Sequence, residues 1–389
     1  MVSVVYLDYA ATTPVAAQVL DAMLPFFTSR FGNASNHLHA LGRDAAEAIR
    51  RSRSALAGAV GAQPRELVFT SGATESNHLA IRGAALARAA RGRHVITSAM
   101  EHSSTLAAVA ELERSGWDVT RVPAGANGVI DLGALEAAIR ADTALVSIML
   151  VNNETGVVQP LEAVVEIARS RDIAVHTDAT QALGKIPVSL RALGVDLASF
   201  SAHKVLGPKG VGALYTRQHG QRPHPMFPGG GDGLRAGTAN VPGIVGFGAA
   251  AELLVTDLDA ERHRLARLRS QLLGGLSDAL PGVRQNGSAD DCVPAILNVS
   301  FEGVDGEDVV TSAKSLALGT GSACSTGRSD PSHVLIAMGL SRPAARGAVR
   351  FSLGRYTDDA DVSHAVAATA DAVRMLRARE QGTIAAVGP

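Results

Sequence analysis

Only two cysteines, Cys292 and Cys324, occur in a chain of 389 residues. That excludes a disulfide framework and points to two reduced thiols in a cytoplasmic protein. Charge of one sign is missing as well: 36 Lys and Arg stand against 37 Asp and Glu, a formal net charge of −1. Without a basic field, direct nucleic-acid binding is not expected. Long hydrophobic runs are absent too, and the longest, Ala144 to Val151, is broken by Ser147 and too short to span a bilayer. Met1 to Asp8 lacks a basic region followed by an apolar stretch, so no secretory leader is expected. His37, His39 and the Cys324 loop show no zinc-ligand spacing, and no metal site is expected.

Aromatic residues are few, at 4%, while glycines number 40 and hydrophobic residues reach 46%. This composition suits short strands, helices and tight turns, in a chain long enough for two packed domains. Between Pro64 and Tyr215, apolar runs alternate with helical stretches. The spacing predicts strands over Glu66–Thr70, His94–Thr97, Asp118–Arg121, Leu145–Ile148, Ala174–Thr177, Leu197–Ser201 and Gly212–Tyr215. Amphipathic helices are predicted between several of them, among them Asn77–Arg91, Leu106–Ser115 and Leu161–Arg171. Such alternation indicates an α/β fold with a mostly parallel central sheet flanked by helices. After the glycine-rich break Pro228 to Gly233, a long helix is expected from Pro242 to about Leu280. Strands at Ala295–Phe301 and Val349–Leu353 and a last helix near Asp358–Arg379 complete a smaller α+β domain. The expected division is residues 16–250 for the large domain, with 1–15 and 251–389 forming the small one.

In a parallel sheet, ligands sit at the carboxyl ends of the strands, so residues just beyond each strand carry most weight. Lys204 stands there, at the end of Ser199-Phe200-Ser201-Ala202-His203-Lys204. Desolvation lowers an ammonium pKa at such a place, as a Schiff-base lysine requires. Ser201 and His203 flank it with donors suited to a phosphate. A Ser-x-His-Lys run by itself is more often a loop with a solvated lysine. Asp178, after Ile173–Thr177, is placed either to face a protonated pyridine nitrogen or to cap a helix, and Gln181 can donate to a ring hydroxyl. The run Ser71 to Asn77 opens a helix with small residues, leaving the N–H groups around Ala73 and Thr74 free for one phosphate, with the Thr74 hydroxyl beside them. The run has neither the G-x-x-x-x-G-K-[ST] nor the G-x-G-x-x-G pattern.

His102, in Glu101-His102-Ser103-Ser104, either stacks over a planar ring and carries protons or is an ordinary surface or core histidine. Asn153, in Val151 to Gly156, either anchors a substrate carboxylate or belongs to a polar turn. Arg350, inside a predicted strand, either grips a carboxylate with two prongs or forms a salt bridge. Cys324 lies in Gly319-Thr320-Gly321-Ser322-Ala323-Cys324-Ser325-Thr326-Gly327-Arg328, a loop that exposes its thiol. Cys292 adjoins an apolar strand and two carboxylates that raise its pKa, and reads as structural.

Taken together and in order, these segments resemble the cysteine desulfurases, in the class V aminotransferase branch of fold-type I pyridoxal-phosphate enzymes. The resemblance runs from Tyr6-Leu7-Asp8-Tyr9-Ala10-Ala11-Thr12-Thr13-Pro14 through Phe69 to Asn77, Glu101-His102, Val151 to Gly156 and His176 to Gln181. It continues through Ser201 to Lys204, Arg235-Ala236-Gly237-Thr238 and Gly321 to Cys324, nearly the whole chain. It implies pyridoxal 5'-phosphate on Lys204, Asp178 on the pyridine nitrogen, Gln181 on the phenolic oxygen and His102 stacked on the ring. Ala73, Thr74, Ser201 and His203 hold the phosphate, and Thr238 reaches the phosphate of a neighbouring subunit in a homodimer. Asn153 and Arg350 hold the carboxylate of L-cysteine. Cys324 takes the sulfur as a persulfide and passes it to an acceptor protein, releasing L-alanine. The loop from Ser322 to Pro331 resembles the long-loop subgroup that serves iron–sulfur assembly and thiolation, and the chemistry also feeds DNA phosphorothioation. Three features depart from the family: Ala202 replaces a usual glycine, Gly231 to Arg235 is short, and the chain reaches Pro389 without the acidic and aromatic tail that housekeeping members use on the iron–sulfur scaffold. Two rival readings are another class V enzyme, such as a selenocysteine lyase or an aminotransferase, and a non-catalytic sulfur carrier.

Overall fold

The structure is a computed structural model that describes residues 4–218, 222–229, 233–320 and 330–386, the side chains of 380–386 excepted. Seven strands form the central sheet in the order Leu67–Thr70, Gly212–Thr216, Leu197–Ser201, Ala174–Asp178, Thr143–Ser147, His94–Ser98, Asp118–Val122. Gly212–Thr216 runs antiparallel to both neighbours, and every other pairing is parallel. Leu67–Thr70 therefore points the same way as Leu197–Ser201, and the segments after Thr70, Ser98, Ser147, Asp178 and Ser201 all emerge at one end. The mostly parallel sheet read from the alternation is the observed one.

Successive strand residues face opposite sides, and here both sides are covered by helices. Val68, Val95, Leu145, Ala174, Leu197 and Leu214 pack with Leu79, Ile81, Val109 and Leu112 from helices Ala73–Ala87 and Ser103–Arg114. Their neighbours Phe69, Ile96, Val146, Val175, Ala198 and Ala213 join the larger core on the other side, with Val164 and Ala168 of helix Leu161–Arg169. Gly212 is required where the sheet meets the loop after Thr70, because a Cβ there comes within 2.6 Å of the Gly72 backbone.

Helix Val241–Ala279 follows the expected course and bends at Asp257, whose φ is −130°. It is the one described helix long and apolar enough in composition to cross a membrane, and its Val241, Ile244, Phe247, Leu268, Leu272 and Leu276 are buried in the core. Beyond it, Val283–Gln285, Ile296–Phe301 and Ala348–Ser352 make a three-stranded antiparallel sheet. Val5–Tyr6 pairs in parallel with Leu316–Ala317, stitching the chain's start to this region. The segment Asp8–Thr13 then crosses the carboxyl end of the large sheet.

Candidate active site

A cavity of about 1280 Å³ opens at that carboxyl end. Ala73, Thr74, His102, Asn153, Asp178, Gln181, Ser201, His203, Lys204 and Arg350 all line it, so ten of the predicted site residues meet in one place. Thr238 does not line it and is exposed. Cys324 lies outside the described residues, while Thr320 and Asp330, on either side of its loop, line the cavity.

Lys204 ends the short helical turn Ala202–Lys204, immediately after Leu197–Ser201. Its Nζ donates to the carbonyls of Ala10 and Ala11, both at 2.6 Å. Burial, helped by the Arg350 charge and opposed by Asp178 and Asp8, pulls its pKa down to about 8. The ammonium thus gives up its proton readily, the property sought in a Schiff-base lysine. The following turn is held from outside: Leu206 adopts φ 64°, costly for a branched side chain, and its N–H donates to Thr13 Oγ1 at 2.8 Å. The Thr13 N–H and hydroxyl both donate to the His203 carbonyl, at 2.8 and 3.0 Å.

Asp178 ends its strand and is buried. Its carboxylate accepts from Asn77 Nδ2 at 2.7 Å and from the Thr180 N–H at 3.0 Å. Asp178 lines the cavity, and its bond to Thr180 N–H caps a turn rather than the helix of the other reading. Gln181 Nε2 donates to the Ala10 carbonyl at 2.9 Å, while its buried Oε1 has no partner among the described residues. The helix at Ala73 starts without a side-chain cap, leaving its first N–H groups for an anion. His203 is kept neutral, its pKa lowered to about 4 by burial and then by Lys204, Lys209, Lys185 and His102. Its Nδ1 lies 3.1 Å from Thr12 Oγ1.

His102 caps helix Ser103–Arg114, with its Nδ1 accepting the Ser104 N–H at 3.2 Å. Burial lowers its pKa; Asp178 opposes this, while Lys204 and His333 add to it. Arg350 lines the cavity and makes the salt bridge of the second reading. Its Nη2 pairs with Asp8 Oδ1 at 2.7 Å, its Nη1 donates to the Asn153 carbonyl at 2.9 Å, and its Nε is buried without a partner among the described residues. Cys292 behaves as expected, its thiol pKa raised first by burial, then by Asp290 and Asp291 against Arg269.

Several residues at the site were not singled out from sequence. Asp8 and the Ala10 and Ala11 carbonyls lie in the motif Tyr6 to Pro14, but their roles arise across 342 residues of chain for Asp8 and nearly two hundred for the carbonyls. Glu154 is buried, which raises its pKa; Ser332, His333 and Arg350 oppose this, and Ser332 Oγ donates to its carboxylate. Glu101 is fully buried and its pKa is raised to about 8, by burial first and by Asp178 last, against hydrogen bonds from Met149 N–H and Ser98 Oγ. Its second oxygen has no partner among the described residues. Below the unfolded-state pKa of about 4.3 Glu101 affects stability little, and as pH rises from there to about 8 unfolding releases its proton and stability falls. Glu101→Gln is therefore expected to stabilise the protein by about 1–3 kcal/mol more at pH 8 than at pH 5 in urea titrations. A gain independent of pH contradicts a neutral, buried Glu101.

The Aminotransferase class-V family matches residues 5–364. A "Cysteine desulfurase IscS" of Anaeromyxobacter dehalogenans (strain 2CP-C) is 46% identical over 376 residues, covering 96% of this chain and 93% of that one. A solved structure described as a NifS-like protein superposes with a TM-score of 0.89 at 37% identity, covering 96% of this chain and all of the other. Another, described as SspA in complex with cysteine, gives 0.81 at 39% identity, covering 91% and 99%. Sheet, site and matches together define a class V enzyme of the fold-type I architecture. Within that class the chain belongs to the cysteine desulfurases, enzymes that use pyridoxal phosphate. The lysine of lowered pKa and the anion cradle at Ala73 suit that cofactor.

Proposed function

We propose that Lys204, Asp178, Arg350 and Cys324 carry out the conversion of L-cysteine to L-alanine, with the sulfur held on Cys324 as a persulfide and passed to an acceptor protein. The observation that carries this reading is the convergence of the first three residues and both flanks of the Cys324 loop on one cavity. Cys324 follows Thr320 by four positions, a tether of at most about 14 Å.

In this reading Lys204 would hold the cofactor, and the N–H groups at Ala73 and Thr74, the hydroxyls of Thr74 and Ser201, and His203 would hold its phosphate. Bound pyridoxal phosphate supplies an electron sink for the substrate's α carbon. Asp178 would hold the ring nitrogen and stabilise its positive charge, Gln181 would donate to the ring oxygen, and His102 would pack on the ring. Arg350 and Asn153 hold the substrate carboxylate. Lys204 Nζ, freed by the incoming amine, takes the Cα proton, a task suited to a pKa of about 8. The Cys324 thiolate attacks the substrate sulfur: an S–S bond forms, the Cβ–S bond breaks, and its electron pair stays with the carbon that is protonated to give alanine. Cysteine plus enzyme thiol becomes alanine plus enzyme persulfide, so no outside oxidant or reductant is needed.

The reading extends to a cytoplasmic homodimer in which Thr238 reaches the partner's cofactor phosphate, in keeping with its exposure away from its own cavity. The kink at Asp257 supports a division of the chain near residue 250 into large and small domains. Acceptors in iron–sulfur assembly, in thiolation of tRNA or cofactors, and in DNA phosphorothioation all take sulfur of this chemical form.

Arg350→Lys tests the substrate assignment. Lysine keeps a charge but loses the fork that spans Asp8, Asn153 and a carboxylate. KM for cysteine is expected to rise about tenfold to a hundredfold with kcat little changed, from the loss of a charge-assisted hydrogen bond. An unchanged KM removes Arg350 from substrate binding.

A further inference from the structure

From the core to the cavity wall at His102 runs a chain of hydrogen bonds, buried at Asn77, whose links Asn77 and Ser104 the proposed reaction does not use. Asn77, on helix Ala73–Ala87, has no solvent exposure. Its Nδ2 donates to Asp178 Oδ2 at 2.7 Å and to Ser104 Oγ at 2.9 Å. A carboxylate only accepts, so Asp178 obliges the amide to present its NH2 group, and Asn77 Oδ1 is left without a partner among the described residues. With Ser104 Oγ accepting from Asn77, the serine's own hydrogen is directed to His102 Nδ1, 2.8 Å away. The Ser104 backbone N–H donates to the same nitrogen at 3.2 Å.

Two donors meeting at Nδ1 require a bare lone pair there. A neutral imidazole carries one hydrogen, which must then sit on Nε2. Protonating Nδ1 as well sets an N–H against both Ser104 donors, and the backbone one cannot rotate away. The charged or titratable groups around the ring are Asp178, Lys204 and His333. Only Asp178 favours a second proton, and Asn77 and Thr180 already occupy its carboxylate.

We propose that Asn77 and Ser104 are positioning residues that lock His102 as its neutral Nε2–H tautomer and tie it to Asp178. His102 then works through Nε2 as a hydrogen-bond donor to the reacting groups and takes no second proton at Nδ1. This rests on the roles proposed above for His102 and Asp178, but the tautomer is measurable whether or not those roles hold.

The test is nitrogen NMR of the cofactor-loaded enzyme labelled with 15N-histidine, the His102 signals being those lost in His102→Gln. Between pH 6 and 9, Nδ1 is expected in the unprotonated range and Nε2 in the protonated range. A protonated Nδ1 at pH 7, as the other tautomer or as imidazolium, overturns the proposal whatever the activity. Ser104→Ala keeps the backbone donor and removes the relay: kcat is expected to fall about tenfold at unchanged KM, with the tautomers mixed, and Ser104→Thr to restore both. Asn77→Ala is expected to move the pH midpoint of the lysine–cofactor absorbance band, because Asp178 loses one of its two hydrogen bonds. If the Ser104→Ala enzyme keeps its kcat and single tautomer and loses only thermal stability, the relay is mere scaffolding and the proposal fails.

Discussion

Lys204→Ala abolishes the visible absorbance band of the lysine-bound cofactor and lowers the rate of alanine formation by about a thousandfold or more. Two functions vanish together, the covalent tether and the base for the Cα proton. No described neighbour can substitute for both. Lys185 is buried, with its pKa lowered to about 7, but it lies outside the cavity lining and its Nζ has no partner among the described residues. Lys209 lines the cavity wall but is exposed. Alanine at position 204 also frees the Ala11 carbonyl and leaves that of Ala10 to Gln181 alone, so the segment Asp8–Thr13 loosens without losing its Thr13 anchors to His203 and Leu206. The protein therefore folds and the loss is chemical. A retained band means that another lysine carries the cofactor.

Cys324→Ser separates the two halves of the reaction. The serine enzyme keeps the absorbance band, because every residue proposed for cofactor binding is untouched. It is still expected to bind cysteine, because Arg350 and Asn153, proposed for the carboxylate, are unchanged. A hydroxyl at this position is not ionised near neutral pH and is a poor nucleophile towards sulfur, so alanine production falls by about a hundredfold or more. Alanine formation at the unaltered rate points instead to an elimination or a selenocysteine lyase, neither of which needs the protein thiol.

What sequence could and could not reveal follows from the range of the interactions. Lys204, Asp178 and the Ala73 cradle are readable because each stands where a strand or loop delivers it to the carboxyl end of the sheet, and strand positions follow from local apolar patterning. Helix Ala73–Ala87 begins four residues before the apolar pattern that starts at Asn77, within the small-residue run expected to open a helix. Helix Ala40–Ala59 and strand Val283–Gln285 escaped notice: one precedes the recognisable alternation, the other is only three residues long. The Lys204 contact with Ala10 spans 194 residues, and Asn77 meets Asp178 across 101, distances over which periodicity says nothing. Arg350 shows the same limit in another form. Carboxylate grip and salt bridge were rival readings of one residue, and the folded chain uses a single guanidinium for Asp8 while keeping it on the cavity wall.

The central claim is that sulfur leaves cysteine by way of Cys324. The direct measurement is mass spectrometry of the Cys324 peptide after the cofactor-loaded enzyme has met one equivalent of L-cysteine with no acceptor present, alanine being counted in the same sample. The account predicts one added sulfur atom on Cys324, matched by one alanine and absent from Cys292. Alanine formed with Cys324 unmodified, or sulfur found on Cys292 instead, contradicts it.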